Sequence, residues 1–340
     1  MTKKFTVGVI GAGRIGKIHI ENVLRKISNV KLKVVADVKI DDNLKSWANR
    51  IGISSLTNNP YDIIKDSEID TIIIASSTNS HSEFIQLAAK AQKSIFCEKP
   101  LDTDLNRIKE TLNIVNQEGV KLMIGFNRRF DRNFRKIKEL IRSGQIGIPQ
   151  IIKITSRDPA LPPMDYIKAS GGLFIDMTIH DWDMAQFQMG SDVEEVYTKG
   201  AALIEPEITN LGDIDTAVAV LKFENGALGI IDNSRQAVYG YDQRVEVFGS
   251  NGCIIADNEP TNTITLFTAN LTKKDNIPYF FLERYMDSYE AELLYFFKCL
   301  NSEEQPFPDG NDGLKSVLVA LAAQRSLIEN RPVKISEIDW

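Results

Sequence analysis

Cysteine and histidine are both scarce in this chain, with three of each among 340 residues. The cysteines are Cys97, Cys253 and Cys299, an odd number without a CxxC spacing. That pattern argues against a disulfide framework and against a thiolate zinc site. We therefore expect a reducing, cytoplasmic environment, and we predict no bound metal.

Long apolar runs and basic clusters are also missing. No apolar run approaches the roughly 18 to 20 residues that span a bilayer, so we expect no membrane partner. The N-terminal stretch is interrupted by Arg14 and lacks a small-residue cleavage site, so we expect no secretion signal. The net charge is −6 and no basic run is interleaved with aromatic residues, which argues against a nucleic-acid partner.

The first part of the chain alternates short β-rich runs with helical patterns. The runs are "FTVGVIG", "LKVVAD", "TIIIAS", "SIFCEK" and "KLMIGF". This alternation is typical of βαβ units around a parallel sheet. We predict an α/β protein whose residues 1–126 form a doubly wound, dinucleotide-binding Rossmann domain.

The first turn, "GAGRIG", carries the cofactor prediction. Gly11, Gly13 and Gly16 would permit a tight turn, close approach of a pyrophosphate, and close packing of helix on strand. The predicted cofactor contacts in and beside this turn are Gly11, Gly13, Arg14, Ile15 and Gly16.

Asp37 strengthens that prediction, because it ends the second strand about 20 residues beyond the turn. A carboxylate there can accept both ribose hydroxyls and would repel a 2′-phosphate, which favours NAD. Lys39 lies two residues on and offsets some of that repulsion, so NADP stays the second choice.

Further candidates follow the later strands. Ser76 and Ser77 end the fourth, and His81 comes shortly after, where it would cap the next helix or order the loop near the cofactor. Glu98 and Lys99 close the fifth strand, at the edge where open α/β sheets bind ligands, and Pro100 indicates a constrained turn, for which a cis peptide bond is one of two options. Lys99 is either functional or a surface lysine paired with Glu98. For His19, on the first helix, we favour a packing or surface role over that of a ligand.

The rest of the chain has a different sequence pattern. Beyond about Pro149, β-rich runs follow one another with Gly, Asn and Asp at the turns, which predicts an open, mostly antiparallel sheet. Asn225 and Gly226 predict a hairpin turn. One helix is expected from Phe174 to Met189, and two more close the chain. We predict a C-terminal α+β domain over residues 127–340.

The stretch "SGGLFIDMTIHDWD" places a carboxylate and one of the few histidines four residues apart. On one helix, Asp176 and His180 would share a face. Three interpretations compete: a structural pair, a metal site that also uses Asp181 and Asp183, or a catalytic pair. Side chains at 180, 181 and 183 do not share a face, which disfavours the metal. A histidine that titrates near neutrality suits removal of a hydroxyl proton during hydride transfer.

With the glycine turn, "CEKP", "GFNRRF" and "GGLFIDMTIHDWD" in this order, the chain resembles the glucose-fructose oxidoreductase/inositol dehydrogenase (Gfo/Idh/MocA) family over its full length, and within it the inositol 2-dehydrogenases. The resemblance implies a homo-oligomer, commonly a tetramer built through the open sheet, and a catalytic set of Lys99, Asp176 and His180. It also implies substrate contacts from Arg128, Asp158 and Tyr241. Ser76 and Ser77 stand where many members have Thr-Pro.

We therefore predict NAD-dependent oxidation of a cyclic polyol to a keto-inositol, with myo-inositol as the first choice of substrate and scyllo-inositol as the second. His180 would be the general base, assisted by Lys99 and Asp176. The alternatives are an aldose dehydrogenase or keto-sugar reductase of the same family, and a non-catalytic dinucleotide-sensing regulator.

Overall fold

The computed structural model describes residues 4–302 and 304–339, which divide into two compact units. The first unit contains the chain up to Phe130 together with Asp287–Leu314. The second contains Asp131–Met286 and Lys315–Asp339. The predicted domain boundary after residue 126 remains a prediction, and it did not anticipate that a late segment belongs with the first unit.

A six-stranded parallel sheet organises the first unit. Its strand order is β3-β2-β1-β4-β5-β6, the order of a Rossmann fold. The strands are β1 (Phe5–Ile10), β2 (Val30–Ala36), β3 (Leu56–Thr57), β4 (Thr71–Ile74), β5 (Ser94–Glu98) and β6 (Leu122–Gly125). The connecting helices are α1 (Arg14–Arg25), α2 (Asp42–Ile51), α3 (Pro60–Lys65), α4 (His81–Lys90) and α5 (Leu105–Glu118).

Local sequence explains where these elements begin and end. The four residues of β4 are all buried, as expected for a central strand covered on both faces. Asp41 and Asp104 cap α2 and α5 by accepting backbone N–H groups of the first turn. Gly52 and Gly119 end the same helices in the left-handed conformation.

The segment that returns to the first unit supplies part of its core. It includes most of helix α10 (Phe281–Asn301), which is followed by α11 (Gly310–Glu329). Phe296 lies 5.8 Å from Phe96 of β5, and Phe297 lies 5.8 Å from Phe5 of β1, measured between ring centroids. Buried aromatic pairs at such distances hold the helix against the sheet.

The second unit is built on a seven-stranded mixed sheet with the order β12-β11-β7-β10-β9-β8-β15. Only β7 and β10 pair in parallel. The strands are β7 (Pro149–Arg157), β8 (Val193–Ala201), β9 (Thr216–Phe223), β10 (Leu228–Ser234), β11 (Asp242–Gly249), β12 (Gly252–Ala256) and β15 (Val333–Lys334), with a separate hairpin of β13 (Thr265–Phe267) and β14 (Thr272–Lys274). The helices of this unit besides parts of α10 and α11 are α6 (Arg132–Arg142), α7 (Met164–Ser170), α8 (Leu173–Asp176) and α9 (Ile179–Met189).

These two sheets confirm the predicted fold class. The predicted hairpin turn joins β9 to β10, and Gly226 there has a φ of 86°. Within the described residues, no helix combines the length and the apolar character needed to cross a membrane.

One predicted element is wrong in detail, because the expected helix from Phe174 to Met189 is divided into α8 and α9. The backbone N–H and the hydroxyl of Thr178 both donate to the carbonyl of Leu173, which closes the first helix. The carbonyl of Thr178 then accepts from Asp181 and Trp182, which opens the second. Side-chain donation to the backbone competes with a regular helix in this way. Asp176 and His180 therefore lie on consecutive helices rather than on one face of a single helix.

Candidate functional site

A cavity of about 540 Å³ lies in the first unit at the carboxyl ends of the parallel strands. It brings together five of the predicted cofactor residues, namely Gly11, Gly13, Asp37, Ser76 and Ser77. Its other lining residues are Ile10, Ala36, Val38, Pro60, Ala75, Asn79, Ser80 and Phe84. A largely apolar cleft with a few polar groups at this edge is the expected site for a dinucleotide.

The glycine turn fits a pyrophosphate. Gly13 precedes the first turn of α1, and a Cβ atom built on Gly13 would meet nothing within 4 Å. Backbone can therefore approach a ligand closely at the N-terminus of a helix, where N–H groups and the helix dipole favour an anion. Gly16 is buried against Gly11, whereas Arg14 is exposed and Ile15 half-buried, and neither Arg14 nor Ile15 lines the cavity.

Asp37 is held in place at the end of β2. Its Oδ2 accepts from the backbone N–H of Ala12 at 2.7 Å, and its Oδ1 accepts from that of Lys39 at 2.8 Å. Each carboxylate oxygen has a second lone pair, which can accept a ribose hydroxyl. The residues present thus fit the adenosine half of NAD.

His81 joins the Ser76 loop to the turn after β5. Its Nδ1 lies 2.8 Å from the carbonyl oxygen of Pro100, and its Nε2 lies 3.1 Å from that of Ser76. Burial lowers the pKa of His81, which favours the neutral ring. The Lys99–Pro100 peptide bond is cis.

Three more predicted residues lie at the ends of the neighbouring strands β5 and β6. Glu98 is 8% exposed and its Oε1 lies 2.6 Å from Nε2 of His19, while Lys99, the next residue, is half-buried. Arg128 follows β6 in a short 3₁₀ helix, Asn127–Phe130, and is buried. Of the two roles favoured for His19, burial agrees with packing and excludes a surface position, and the side chain also binds Glu98.

In the second unit, few side chains of α8 and of the first part of α9 have access to solvent. From Leu173 to Gln186, every residue is buried except Asp176 and His180. In this run, therefore, only a carboxylate and an imidazole keep partial access to solvent. Asp181, by contrast, is fully buried, and its Oδ2 accepts from Asn233 at 2.8 Å.

Two residues that the sequence analysis missed hold Asp176. Its Oδ1 accepts from the hydroxyl of Tyr166 at 2.8 Å, and its Oδ2 accepts from Nη1 of Arg235 at 3.3 Å. Burial first, and then the negative charge of Asp176, raise the pKa of Tyr166, so the phenol remains a donor.

The alternation of buried positions in the sequence could have indicated that Arg235 points inward. Along β10 the buried positions alternate through Ile231 and Asn233, and the same period places Arg235 inward, with a side chain only 1% exposed. A buried arginine at such a position needs a carboxylate partner.

The remaining predicted substrate contacts have different environments. Asp158 is half-buried, and its backbone N–H donates to Ser234, next to Arg235. Tyr241 is 6% exposed, and its ring packs edge-on against Tyr285 at 5.9 Å in an aromatic cluster. Contact of either residue with substrate remains a prediction.

Family models match both parts of the chain. A model described as "Oxidoreductase family, NAD-binding Rossmann fold" matches residues 5–126, and the "GFO/IDH/MocA C-terminal domain" matches residues 134–255.

Individual proteins match over nearly the whole length. The uncharacterized oxidoreductase YrbE of Bacillus subtilis is 51% identical over 100% of this chain and 99% of its own. The myo-inositol 2-dehydrogenase of Thermotoga maritima is 49% identical over 98% and 99%. A crystal structure of scyllo-inositol dehydrogenase from Lactobacillus casei, with bound NAD(H) and scyllo-inositol, superposes with a TM-score of 0.91 at 29% identity, covering 98% of this chain and 100% of that one.

The glycine turn, the strand order, the mixed sheet and these matches agree with one another, and the chain belongs to the Gfo/Idh/MocA family of NAD-binding Rossmann-fold oxidoreductases.

Proposed function

We propose that this protein is an inositol dehydrogenase that oxidises a ring hydroxyl of myo-inositol or scyllo-inositol to a ketone, with NAD as cofactor. The observation that carries the proposal is that Asp176 and His180 alone are half-buried rather than buried in the run from Leu173 to Gln186. A buried layer in which only an acceptor and a base remain accessible is suited to a small polyol.

The reaction removes a proton and a hydride from one H–C–O–H group, and the cofactor and each side chain have separate roles in it. When bound, NAD+ supplies the hydride acceptor. His180 accepts the hydroxyl proton as general base, which leaves the carbonyl of the keto-inositol as product. Lys99 assists as a cation that hydrogen-bonds the same oxygen and stabilises negative charge on it.

Asp176 positions the substrate or His180 and takes no part in the proton transfer. Tyr166 and Arg235 each donate to one of its oxygens, which fixes the plane of the carboxylate. The remaining lone pairs can accept a neighbouring ring hydroxyl or hold the imidazole. Arg128, Asp158 and Tyr241 are proposed to contact the other hydroxyls.

NAD is favoured over NADP because Asp37 stands at the end of β2 with both oxygens fixed by backbone N–H groups. A 2′-phosphate would meet this carboxylate at close range. Lys39 is the residue that would lessen the repulsion.

The substrate class is supported by relatives whose names specify inositols. The Thermotoga maritima relative is named for myo-inositol, and the Lactobacillus casei structure contains scyllo-inositol. These inositols differ at one ring position, so the choice depends on small displacements of polar groups.

Assembly as a homotetramer is proposed through the outer face of the second unit's sheet. Apolar side chains there are 39% to 60% exposed and come from four strands: Val218, Val220, Leu228, Ile230, Phe248 and Ile255. Ile230 pairs with Val220 across β10 and β9, so the patch is continuous there. Exposed apolar patches of this kind mark interaction sites. A cytoplasmic location is proposed from the free thiols of all three cysteines.

The test is formation of NADH, followed by its absorbance, with NAD+ or NADP+ and a panel of inositols, glucose, galactose and xylose. Turnover of an inositol with NAD+, lowered by about 10² to 10⁴ in His180→Ala, is the expected result. Turnover of an aldose alone would move the protein to the aldose dehydrogenases. Tight NAD+ binding without turnover of any compound would favour a dinucleotide-sensing regulator.

A further inference from the structure

Three ionisable side chains meet inside the first unit, next to the strand end that carries Lys99. His19 comes from α1, Glu98 from β5 and Glu292 from α10, and one ligand atom of each lies within 4.8 Å of the others. His19 and Glu292 are fully buried. The proposed reaction gives neither of these two residues a role.

The hydrogen bonds in this cluster are unevenly distributed. His19 and Glu98 are joined at 2.6 Å, and the His19 ring is held edge-on by Phe96 and Tyr289. Both carboxylate oxygens of Glu292, and Nδ1 of His19, have no hydrogen-bond partner among the residues that the structure describes. An ionised carboxylate in that position would be strongly destabilising, because no donor among the described residues replaces the water it has lost.

The distances between the atoms of this cluster fit a bound proton better than a bound metal ion. Around a tetrahedral zinc with bonds of about 2.0 to 2.1 Å, neighbouring ligand atoms stand about 3.3 Å apart. The 2.6 Å separation of Nε2 and Oε1 is that of a hydrogen bond, so these two atoms do not form part of one coordination shell.

We propose that His19, Glu98 and Glu292 form a buried proton-binding site, in which Glu292 holds one proton while His19 donates its Nε2–H to an ionised Glu98. The site thereby keeps a single negative charge at Glu98, beside Lys99. His19 and Glu292 are positioning residues that act through Glu98. This last step rests on the proposed function, with NAD as cofactor, and on the prediction from the sequence that Glu98, at the end of β5, contacts that cofactor.

The groups around Glu292 support this distribution of charge. Facing it are Glu98 from β5 and His19 from α1, and beyond Glu98 lie His81 and Asp102. Burial first, and then the charge of Glu98, raise the pKa of Glu292 well above its ordinary value.

Infrared difference spectroscopy tests the proton directly. The carbonyl band of a protonated carboxylic acid should be present in the wild type at pH 7, lost in Glu292→Gln, and kept in the control Glu110→Gln, which changes an exposed glutamate. Loss of a carboxylate band instead would overturn the proposal. So would a stoichiometric metal that survives dialysis against EDTA and disappears in Glu292→Gln.

Unfolding as a function of pH gives a second measurement. Because the folded chain keeps a proton on Glu292 that the unfolded chain releases above about pH 4.3, the wild type should lose stability relative to a neutral variant as pH rises. The ratio of their unfolding constants should change about tenfold per pH unit from about pH 5 upward. Glu292→Met serves if Glu292→Gln does not fold. A flat ratio would contradict the assignment.

Calorimetry with NAD+ alone tests the positioning role. His19→Ala removes the donor to Glu98 and should weaken NAD+ binding about tenfold or more, and His19→Gln, which keeps an N–H donor, should restore most of it. Equal affinity in all three proteins would refute the role of His19. Absence of NAD+ binding to the wild type would refute the proposed function, while the infrared result would still decide the proton site.

Discussion

Two glycines of the same turn, Gly13 and Gly16, should respond differently to substitution by alanine: one change should weaken cofactor binding and the other should lower folding stability. A Cβ on Gly13 would meet nothing within 4 Å, and its φ of −69° suits any residue. A Cβ on Gly16 would lie 2.0 Å from the carbonyl oxygen of Gly11, and a backbone atom cannot move aside cheaply. Gly13→Ala should therefore weaken cofactor binding and leave the fold stable. Gly16→Ala should destabilise the fold.

The expected magnitudes follow from these distances. Overpacking at Gly16 should cost about 1–3 kcal/mol or more of folding free energy, which lowers the melting temperature by roughly 2–4 °C per kcal/mol. Gly13→Ala should stay within about 0.5 kcal/mol of wild type. Its methyl group would stand where the pyrophosphate approaches, so NAD+ should bind at least about tenfold more weakly, or about 1.4 kcal/mol.

Thermal unfolding without cofactor and calorimetric titration with NAD+ separate the two effects. A folded Gly13→Ala variant that binds NAD+ as tightly as wild type would show that the pyrophosphate does not lie on this turn. A Gly16→Ala variant with an unchanged melting temperature would refute the packing argument.

Three other substitutions probe single contacts. Asp37→Ala should weaken NAD+ by about tenfold while changing NADP+ little; equal losses in calorimetric titrations would exclude the ribose contact. Tyr166→Phe removes one donor to Asp176 and should lower kcat/KM for the polyol about tenfold, whereas Tyr61→Phe, which removes a surface hydrogen bond to Glu83, should not; identical steady-state kinetics would contradict the role of Tyr166. His81 has a pKa lowered by burial, so the unfolded chain binds the extra proton and the contribution of His81 to stability should fall below about pH 6.5, by up to about 1.4 kcal/mol per pH unit; denaturant titrations should show this slope in the difference between wild type and His81→Asn, in which the contribution of Glu292 cancels, and a constant difference would contradict it.

Local spacing was sufficient to predict that several candidate cofactor residues of the first unit lie around one cavity. The glycines, Asp37 and the serines each follow a strand, and parallel strands end at one edge of the sheet, so the order of residues along the chain already places them together. The open sheet of the second unit was predictable for a similar reason, since alternating side chains show which positions face inward.

Contacts between distant positions were not predictable in this way. Arg235 reaches Asp176 across 59 residues, and His19 reaches Glu98 across 79. Apolar periodicity also continues through the break between α8 and α9, because the hydroxyl of Thr178 that closes the first helix leaves no mark on the hydrophobic pattern. The return of Asp287–Leu314 to the first unit depends on packing, with Phe296 and Phe297 against the sheet.

Three carboxyl groups show how the number of nearby donors sets the chemistry available to each. Asp176 accepts from a phenol and a guanidinium, Glu98 accepts from one imidazole, and Glu292 has no hydrogen-bond donor within reach in the described part of the chain. The first arrangement suits an anion that must keep one orientation beside a reacting hydroxyl. The last suits a neutral acid, because a buried charge without donors is the more expensive state. Adding a donor near Glu292 would therefore release its proton and place a second negative charge beside Glu98, so the apolar surroundings of Glu292 are part of what keeps the end of β5 suited to a cofactor.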